Sequence, residues 1–155
     1  MTPQELFDKT YCIEVEVLEG GKMPCKAHPT DAGFDVFATE DIDLWPGKVV
    51  KTPLTIRMKL PEGSWARIET KSGLGAQGML VYAGVVDESY RGIPHVIATN
   101  LNHNPWSTSP IVIKKGMKIA QITMNPHSNC FYMKQVNSVD TNTNRGEGGF
   151  GSSGV

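Results

Sequence analysis

The chain has 155 residues, with 15 Lys and Arg against 16 Asp and Glu, so its formal net charge is -1. This length predicts one domain, which can bury roughly 68–70% of its unfolded surface without a disulfide or a metal. The balanced charge argues against a general nucleic-acid binder, which carries a strong basic excess. The 16 glycines and 10 prolines are typical of a fold with many turns and short strands.

The cysteines and the hydropathy exclude several other classes. Cys12, Cys25 and Cys130 form no CxxC pair, which argues against a disulfide framework and a cysteine-rich zinc site. No apolar run approaches about 18 residues, so we expect no membrane partner. The N-terminus lacks the basic-then-apolar layout of a signal peptide. We therefore expect a cytoplasmic location in the producing or host cell.

In chain order, the predicted elements are one short helix and then a series of strands. Thr2, Pro3 and Glu5 match a capping box with proline at the first helical position. Residues 11–17 and, most clearly, 54–60 alternate between apolar and polar, which predicts half-buried strands. Further strands are predicted at 34–37, 65–70, 79–86, 93–99, 111–113, 119–124 and 130–133. Short strands between Gly, Pro and Asn turns indicate an all-β sandwich or barrel.

Two segments depart from this strand pattern. Residues 100–110 are polar and turn-rich and contain Trp106, which we interpret as a hairpin loop. Apolar content falls after Val136, and residues 145–155 hold five glycines. We therefore predict a β-domain over residues 1–136 and a flexible arm over residues 137–155.

Two glycine-rich segments match the phosphate motif GxGxxG, at 73–78 and at 146–151. A dinucleotide site needs these glycines between a strand and a crossover helix. Neither segment has that context, because an apolar strand follows the first and only four residues follow the second. Backbone amides of such loops can still bind anions, and Arg145, Ser152 and Ser153 have the chemistry of a polyphosphate clamp. From the residues alone, a clamp and a plain flexible tail both stay open.

Two carboxylates lie where an apolar strand meets a turn. Asp35 belongs to the segment DAGFD at 31–35, and Asp87 directly follows the segment GVV at 84–86. An aspartate at a strand end can act as a general base or near a metal, or it can simply cap a turn. The residues alone leave both interpretations open.

Five blocks, in order, resemble the five motifs of the trimeric deoxyuridine triphosphate nucleotidohydrolases (dUTPases). They are DAGFDVFA at 31–38, KSGLG at 71–75, GVVDESYRG at 84–92, KGMKIAQIT at 115–123 and RGEGGFGSSG at 145–154. The resemblance implies a jelly-roll-like dUTPase β-barrel, assembled as a homotrimer, with the glycine-rich last block as a C-terminal lid. It also implies hydrolysis of dUTP to dUMP and pyrophosphate at subunit interfaces. Each site would take the third block from one chain, the first, second and fourth from a neighbour, and the fifth from the remaining chain.

The resemblance assigns roles to the matching residues. Asp87 would deprotonate the water that attacks the α-phosphorus. Asp35 would hold a Mg²⁺ ion through a bound water, and the triphosphate would supply most of the ligands. The residues expected to contact phosphate are Lys71, Ser72, Gly73, Gln121, Arg145, Gly151, Ser152 and Ser153. Residues 80–86 would form a hairpin whose amides read uracil, and the residues expected near base and sugar are Gly84, Val86, Tyr90 and Phe150.

The sequence departs from the family pattern in three places. Lys71 stands where the second block usually begins with arginine, so the charge is kept but the planar fork is lost. Met117 and Lys118 replace an acidic or polar residue and an arginine, which we expect to affect trimer contacts rather than chemistry. The 100–110 loop is longer than is common, and its Trp106 would either cap the barrel or bind a regulatory protein.

Two other functions remain as alternatives on sequence grounds. A dCTP deaminase shares the dUTPase fold, but the intact third block with Asp87 and Tyr90 favours a dUTPase. A non-catalytic regulator or a capsid-type jelly roll would keep the scaffold and lose the motifs. Every catalytic position except Lys71 has the expected residue type, which disfavours this second alternative.

Overall fold

The computed structural model describes residues 2–102, 109–127 and 133–144. Features predicted elsewhere, which include Trp106, Cys130 and the fifth motif, lie outside these residues. The elements are α1 (Pro3–Tyr11), β1 (Glu14–Val17), β2 (Gly33–Phe37), β3 (Ile42–Leu44), β4 (Val49–Pro53), β5 (Ile56–Lys59), β6 (Ser64–Glu69), α2 (Ser72–Gly75), β7 (Met79–Tyr82), β8 (Val85–Val86), β9 (His95–Asn100), β10 (Ile111–Ile113) and β11 (Lys118–Pro126). Strands dominate, as predicted, and no helix in these ranges is long and apolar enough to cross a membrane.

The strands form antiparallel ladders in four sheets. The largest has the order β2-β11-β6-β8, and a three-stranded sheet has the order β4-β9-β7. The pairs β1-β5 and β10-β3 complete the set. These ladders do not close into a barrel within the described ranges, so the all-β class is confirmed while the jelly-roll-like barrel stays a prediction.

The alternation in residues 54–60 is confirmed by burial. Its apolar face belongs to the core, with exposed fractions of 1–5%, and consists of Leu54, Ile56, Met58 and Leu60. Its polar face pairs with β1 through two exposed ion pairs, Arg57 to Glu16 and Lys59 to Glu14. Exposed ion pairs contribute only about 0.2–1 kcal/mol each, so the buried face fixes the orientation of β5.

The predicted first strand begins too early. The capping box at the N-terminus of α1 is confirmed, since the Glu5 N–H donates to Thr2 Oγ1 at 3.2 Å and the Thr2 N–H donates to Glu5 Oε2 at 2.6 Å. The helix continues to Tyr11, whose ring lies 5.1 Å from that of Phe7 one turn earlier. Side chains four residues apart stabilise a helix through such contacts. Tyr11 is therefore helical, and β1 starts only at Glu14.

Two predicted hairpins are also corrected. The predicted strand at 79–86 is two strands, β7 and β8, which pair with β9 and β6 in different sheets. The chain turns between them at Ala83, where φ is 52°. Similarly, β9 and β10 do not pair with each other, so residues 101–110 connect two sheets. The short elements β3, β4 and α2 were not predicted.

Candidate active site

One row of side chains on the four-stranded sheet contains two of the predicted site residues. The strand register aligns Asp35 of β2, Gln121 of β11 and Glu69 of β6 across three strands. In the next row, Ile122 and Ile68 face the core and are 2% and 3% exposed. Because successive side chains of a strand face opposite sides, the sheet separates the polar row from the apolar core.

Asp35 is a buried carboxylate between two lysines. It is 5% exposed; Lys71 Nζ donates to its Oδ1, and Lys118 Nζ lies 2.6 Å from its Oδ2. Burial opposes ionisation and is the largest influence on the pKa of Asp35, but hydrogen bonds from Lys118 and Lys71 outweigh it and lower that pKa. The hydrogen bond to Asp35 correspondingly raises the pKa of Lys118. The cluster thus holds two ammonium groups against one carboxylate, with a net positive charge.

Lys118 is a site residue that the sequence analysis did not assign. We expected it to act through trimer contacts, whereas the structure places it against Asp35. The register of β11 against β2 shifts between Lys118 and Ala120, an irregularity that a sequence pattern does not reveal. The sequence feature that could have identified Lys118 as a site residue is its position in the fourth motif, three residues before Gln121.

Gln121 is oriented by the chain around it. Its Nε2 donates to the Thr70 carbonyl at 3.2 Å, next to Lys71. A Cβ on Gly33 would lie 2.7 Å from Gln121 Oε1, so glycine at this position leaves the room that the amide occupies. The predicted phosphate donor therefore lies beside the Asp35 cluster.

The second motif forms a single helical turn directly after Lys71. The Leu74 and Gly75 N–H groups donate to the Lys71 carbonyl at 3.1 and 2.8 Å, and Leu74, 8% exposed, anchors the turn in the core. The first N–H groups of a helical turn, here those of Ser72 and Gly73, have no partner within it. A Cβ on Gly73 would meet no atom within 4 Å. Packing therefore does not require this glycine, and its open surroundings suit close approach by an anion.

Asp87 lies apart from this group, on the wall of a surface cavity. The cavity has a volume of about 710 Å³ and is lined by Trp65, Val85, Asp87, Glu88, Ser89 and His127. Val86, the preceding residue, is 7% exposed and belongs to the core. Only its backbone is therefore placed to contact a ligand. Among the described residues, no hydrogen bond or ion pair engages the Asp87 carboxylate.

Tyr90 and Gly84 are each fixed by a neighbouring part of the chain. The Tyr90 hydroxyl donates to the Ile93 carbonyl at 3.2 Å, and the ring occupies the space that a Cβ on Gly92 would need. The Ile68 N–H donates to the Gly84 carbonyl at 2.8 Å, and a Cβ on Gly84 would overlap the Ile68 backbone. Packing against β6 therefore requires glycine at this position, and the expected contact of a base with Gly84 stays a prediction.

The two groups of site residues do not meet within one chain. Val85 pairs with Arg67, two residues before Glu69 in β6, and Asp87 lies two residues beyond Val85. The strands β8 and β2 are the opposite edges of the sheet. At about 3.3 Å per residue and about 4.8 Å per strand, Asp87 is roughly 20 Å from Asp35. Side chains cannot span this separation.

The described residues fit a magnesium ion only if Asp35 holds it through a bound water and most other ligands come from the substrate. No three His, Cys, Asp or Glu side chains of the described residues converge as a metal-binding group. Each oxygen of Asp35 contacts one lysine, and a carboxylate has about four lone-pair sites. The remaining acceptor capacity fits an ion that takes its other ligands from phosphate and water.

Comparisons with known proteins match nearly the whole chain. A sequence model of the dUTPase family matches residues 19–154. The deoxyuridine 5'-triphosphate nucleotidohydrolase of Clostridium tetani (strain Massachusetts / E88) is 35% identical over 150 residues, which cover 93% of this chain and 97% of that protein. The Pol polyprotein of ovine maedi visna related virus (strain South Africa) is 31% identical over 97% of this chain, but the match spans only 13% of the polyprotein.

Solved structures agree with this match. The dUTPase of Staphylococcus bacteriophage 80alpha, a mutant with dUpNHpp, has a TM-score of 0.82 and 26% identity, covering 94% of this chain and all of that one. A mutant dUTPase from phage phi11 of S. aureus, described with a structural Mg(II) ion, has a TM-score of 0.70 and 23% identity. It covers 81% of this chain and 97% of its own, and at this identity it supports the fold alone.

Proposed function

We propose that this chain, which belongs to the dUTPase family of nucleotide hydrolases, converts dUTP and water to dUMP and pyrophosphate. The observation that carries the proposal is the turn at Lys71–Gly75 beside the Asp35 cluster. It combines two ammonium groups, a glutamine amide and open backbone N–H groups. Donors of this kind bind phosphate oxygens and stabilise the charge that develops on a leaving pyrophosphate.

In this proposal, Lys71, Ser72, Gly73 and Gln121 bind and orient the phosphates. Lysine offers a point charge rather than a bidentate fork, so the amides of the turn set the geometry of the contact. Asp35 holds Lys71 in place and would accept a hydrogen bond from a water bound to the magnesium ion. When bound, that ion neutralises part of the triphosphate charge.

Asp87 is the proposed general base. Its carboxylate faces the cavity and is not engaged by another described side chain, so it is free to orient a water and accept its proton. A positioned general base typically contributes about 10²–10⁴ in rate. The proton taken by Asp87 comes from the water whose oxygen joins the α-phosphorus, while the bond to the leaving pyrophosphate breaks.

A complete site then requires more than one chain. Asp87 is roughly 20 Å from Asp35 along the same sheet, and Val85, which shares that face, is 62% exposed. A second copy packed on this region brings the Asp87 of one chain to the Lys71–Gly75 turn of the other. We propose that this occurs in a homotrimer. The third chain contributes Arg145, Gly151, Ser152 and Ser153 to the γ-phosphate, while its Phe150 stacks on uracil.

Base selection is proposed to use the backbone around β8. The side chain of Val86 is buried and Gly84 packs on β6, so main-chain groups of this segment read the uracil edge. Overpacking costs about 1–3 kcal/mol, so a narrow slot disfavours the extra methyl of thymine. Tyr90 lies under the sugar and excludes a ribose 2′-hydroxyl.

Pyrophosphate release from a panel of nucleotides tests the proposal. With Mg²⁺ present, the purified protein should hydrolyse dUTP and turn over little dTTP, dCTP or UTP. No release from dUTP would overturn the proposed function. Ammonia release from dCTP would instead show a deaminase. Trp106 in the 100–110 loop has two proposed roles, a cap on the barrel or a contact for a regulatory protein, and a pull-down with the protein and its Trp106→Ala variant distinguishes them.

A further inference from the structure

One carboxylate ties three separate segments together next to Asp87. Glu88 Oε2 accepts a hydrogen bond of 2.8 Å from the Gly63 N–H in the turn between β5 and β6. The same oxygen lies 3.4 Å from Nε2 of His127, the residue that follows β11. The His127 N–H donates in turn to the Gly63 carbonyl at 2.8 Å. These three contacts form a closed set, which we call the Glu88 anchor.

Few long-range hydrogen bonds hold the segment that carries Asp87. The strand β8 has two residues, Val85 and Val86, and lies at an edge of its sheet. Its ladder with β6 ends at Val86. Beyond this point the other hydrogen bonds are local, such as the Tyr90 N–H to the Asp87 carbonyl at 3.0 Å. Among the described residues, the Glu88 anchor provides the side-chain contacts that tie this segment to distant parts of the chain.

The anchor also distinguishes the two adjacent carboxylates on the cavity wall. Glu88 is committed to the Gly63 amide and to His127, whereas the Asp87 carboxylate has no described side-chain partner. Both contacts of Glu88 use its Oε2 and join it to two other segments of the chain. Glu88 therefore has the surroundings of a structural anchor, and Asp87 those of a base.

We propose that Glu88 is a positioning residue, which fixes the backbone at Asp87 and so places its carboxylate relative to the attacking water. This inference rests on the proposed function, because it concerns the geometry of the same reaction. A misplacement of about 1 Å can cost about 10²-fold in rate. Loss of the anchor should therefore lower kcat, while the phosphate contacts near Lys71, and with them KM, stay nearly unchanged.

Three substitutions of Glu88 separate the effects of side-chain length, of charge and of removing the carboxylate altogether. Glu88→Gln keeps an acceptor oxygen at the same distance from the Gly63 amide, Glu88→Asp keeps the charge but is one methylene too short, and Glu88→Ala removes both. We expect kcat for dUTP to fall by about 10- to 100-fold in the Asp and Ala variants. The Gln variant should retain at least about a third of kcat, since the neutral amide oxygen still accepts the bond. Glu19→Gln, in the exposed turn after β1, is the matched control and should equal wild type.

Hydrogen exchange at Gly63 gives a readout that is independent of activity. Its amide should exchange faster in the Asp and Ala variants than in wild type and in Glu88→Gln, because the hydrogen bond protects it. Unchanged kcat in a folded Glu88→Asp variant would overturn the inference. So would a rise in KM at constant kcat, which indicates substrate contact. If the wild type does not turn over dUTP, the proposed function itself is refuted. If the wild type is active and substitutions of Glu88 leave its kcat unchanged, only the inference about Glu88 is refuted.

Discussion

The two aspartates of the candidate site have opposite surroundings. Asp35 lies in an interior row of a four-stranded sheet, 5% exposed and held by two lysines. Asp87 lies beyond a two-residue edge strand, exposed and without a described partner for its carboxylate. The first arrangement holds an ionised carboxylate between two ammonium groups, and the second leaves a carboxylate that no described side chain engages. In the proposed function, the phosphate-binding side chains are therefore assembled within one chain, whereas the proposed general base lies at a sheet edge that a second chain is proposed to meet.

Among the substitutions that test this comparison, Asp87→Asn is expected to have the largest effect on kcat. Asparagine keeps the shape of the side chain but cannot accept the proton, so kcat should fall by about 10²–10⁴. Binding of a non-hydrolysable dUTP analogue, measured by calorimetry, should remain because the Lys71–Gly75 turn is intact. Asp43→Asn, an exposed carboxylate of β3, should leave turnover unchanged. If Asp87→Asn is fully active, the water is activated elsewhere and the contrast between the two aspartates fails.

Asp35→Asn should instead act on stability as well as on activity. The substitution leaves two ammonium groups without a counter-charge, and breaking a buried ion pair can cost about 3–5 kcal/mol. Lys71 and Lys118 are 28% and 43% exposed, and solvent screening of exposed charges reduces the expected loss to about 1–3 kcal/mol. The free energy of unfolding in urea measures it.

Lys118→Met is the matched comparison for Asp35→Asn. It leaves the contact between Asp35 and Lys71 in place and removes a half-exposed partner, so we expect a smaller loss of unfolding free energy than in Asp35→Asn. Equal unfolding free energies for the wild type and Asp35→Asn would show that the cluster contributes nothing to the fold.

Alanine substitutions at Gly84 and Gly73 compare a glycine packed near Asp87 with an open glycine in the Lys71–Gly75 turn. A Cβ at Gly84 would overlap the Ile68 backbone, whereas one at Gly73 would meet no atom within 4 Å. Overpacking costs about 1–3 kcal/mol, so Gly84→Ala should lower the free energy of unfolding by that amount. Gly73→Ala should change it by less than about 0.5 kcal/mol, as is usual for open surface positions. Equal losses would contradict the packing role of Gly84.

The sequence predicted the all-β class and the family better than the spatial arrangement of the strands. The alternation in residues 54–60 and the capping box at Thr2 are local patterns, and both are confirmed. Which strands pair is a non-local property, so the sequence did not reveal that β7 and β8 join different sheets. For the same reason it missed the contact of Lys118 with Asp35 and the Glu88 anchor, since each joins segments distant in sequence. The roles of the individual site residues stay predictions until the substitutions are measured.

The smallest expected effect is a pH dependence of stability that belongs to the Asp35 cluster. The folded-state pKa of Asp35 is lowered, whereas the unfolded chain has an ordinary value of about 3.9. Its contribution to stability is therefore complete above that value and is lost as the pH falls through the folded-state pKa. Tm should decrease between about pH 5 and pH 3, and the decrease should be smaller in Asp35→Asn. Asp31 and Asp41 also have lowered pKa values and account for part of the remaining slope. An identical decrease in Asp35→Asn would mean that these exposed carboxylates, and not the buried one, set the acid limit.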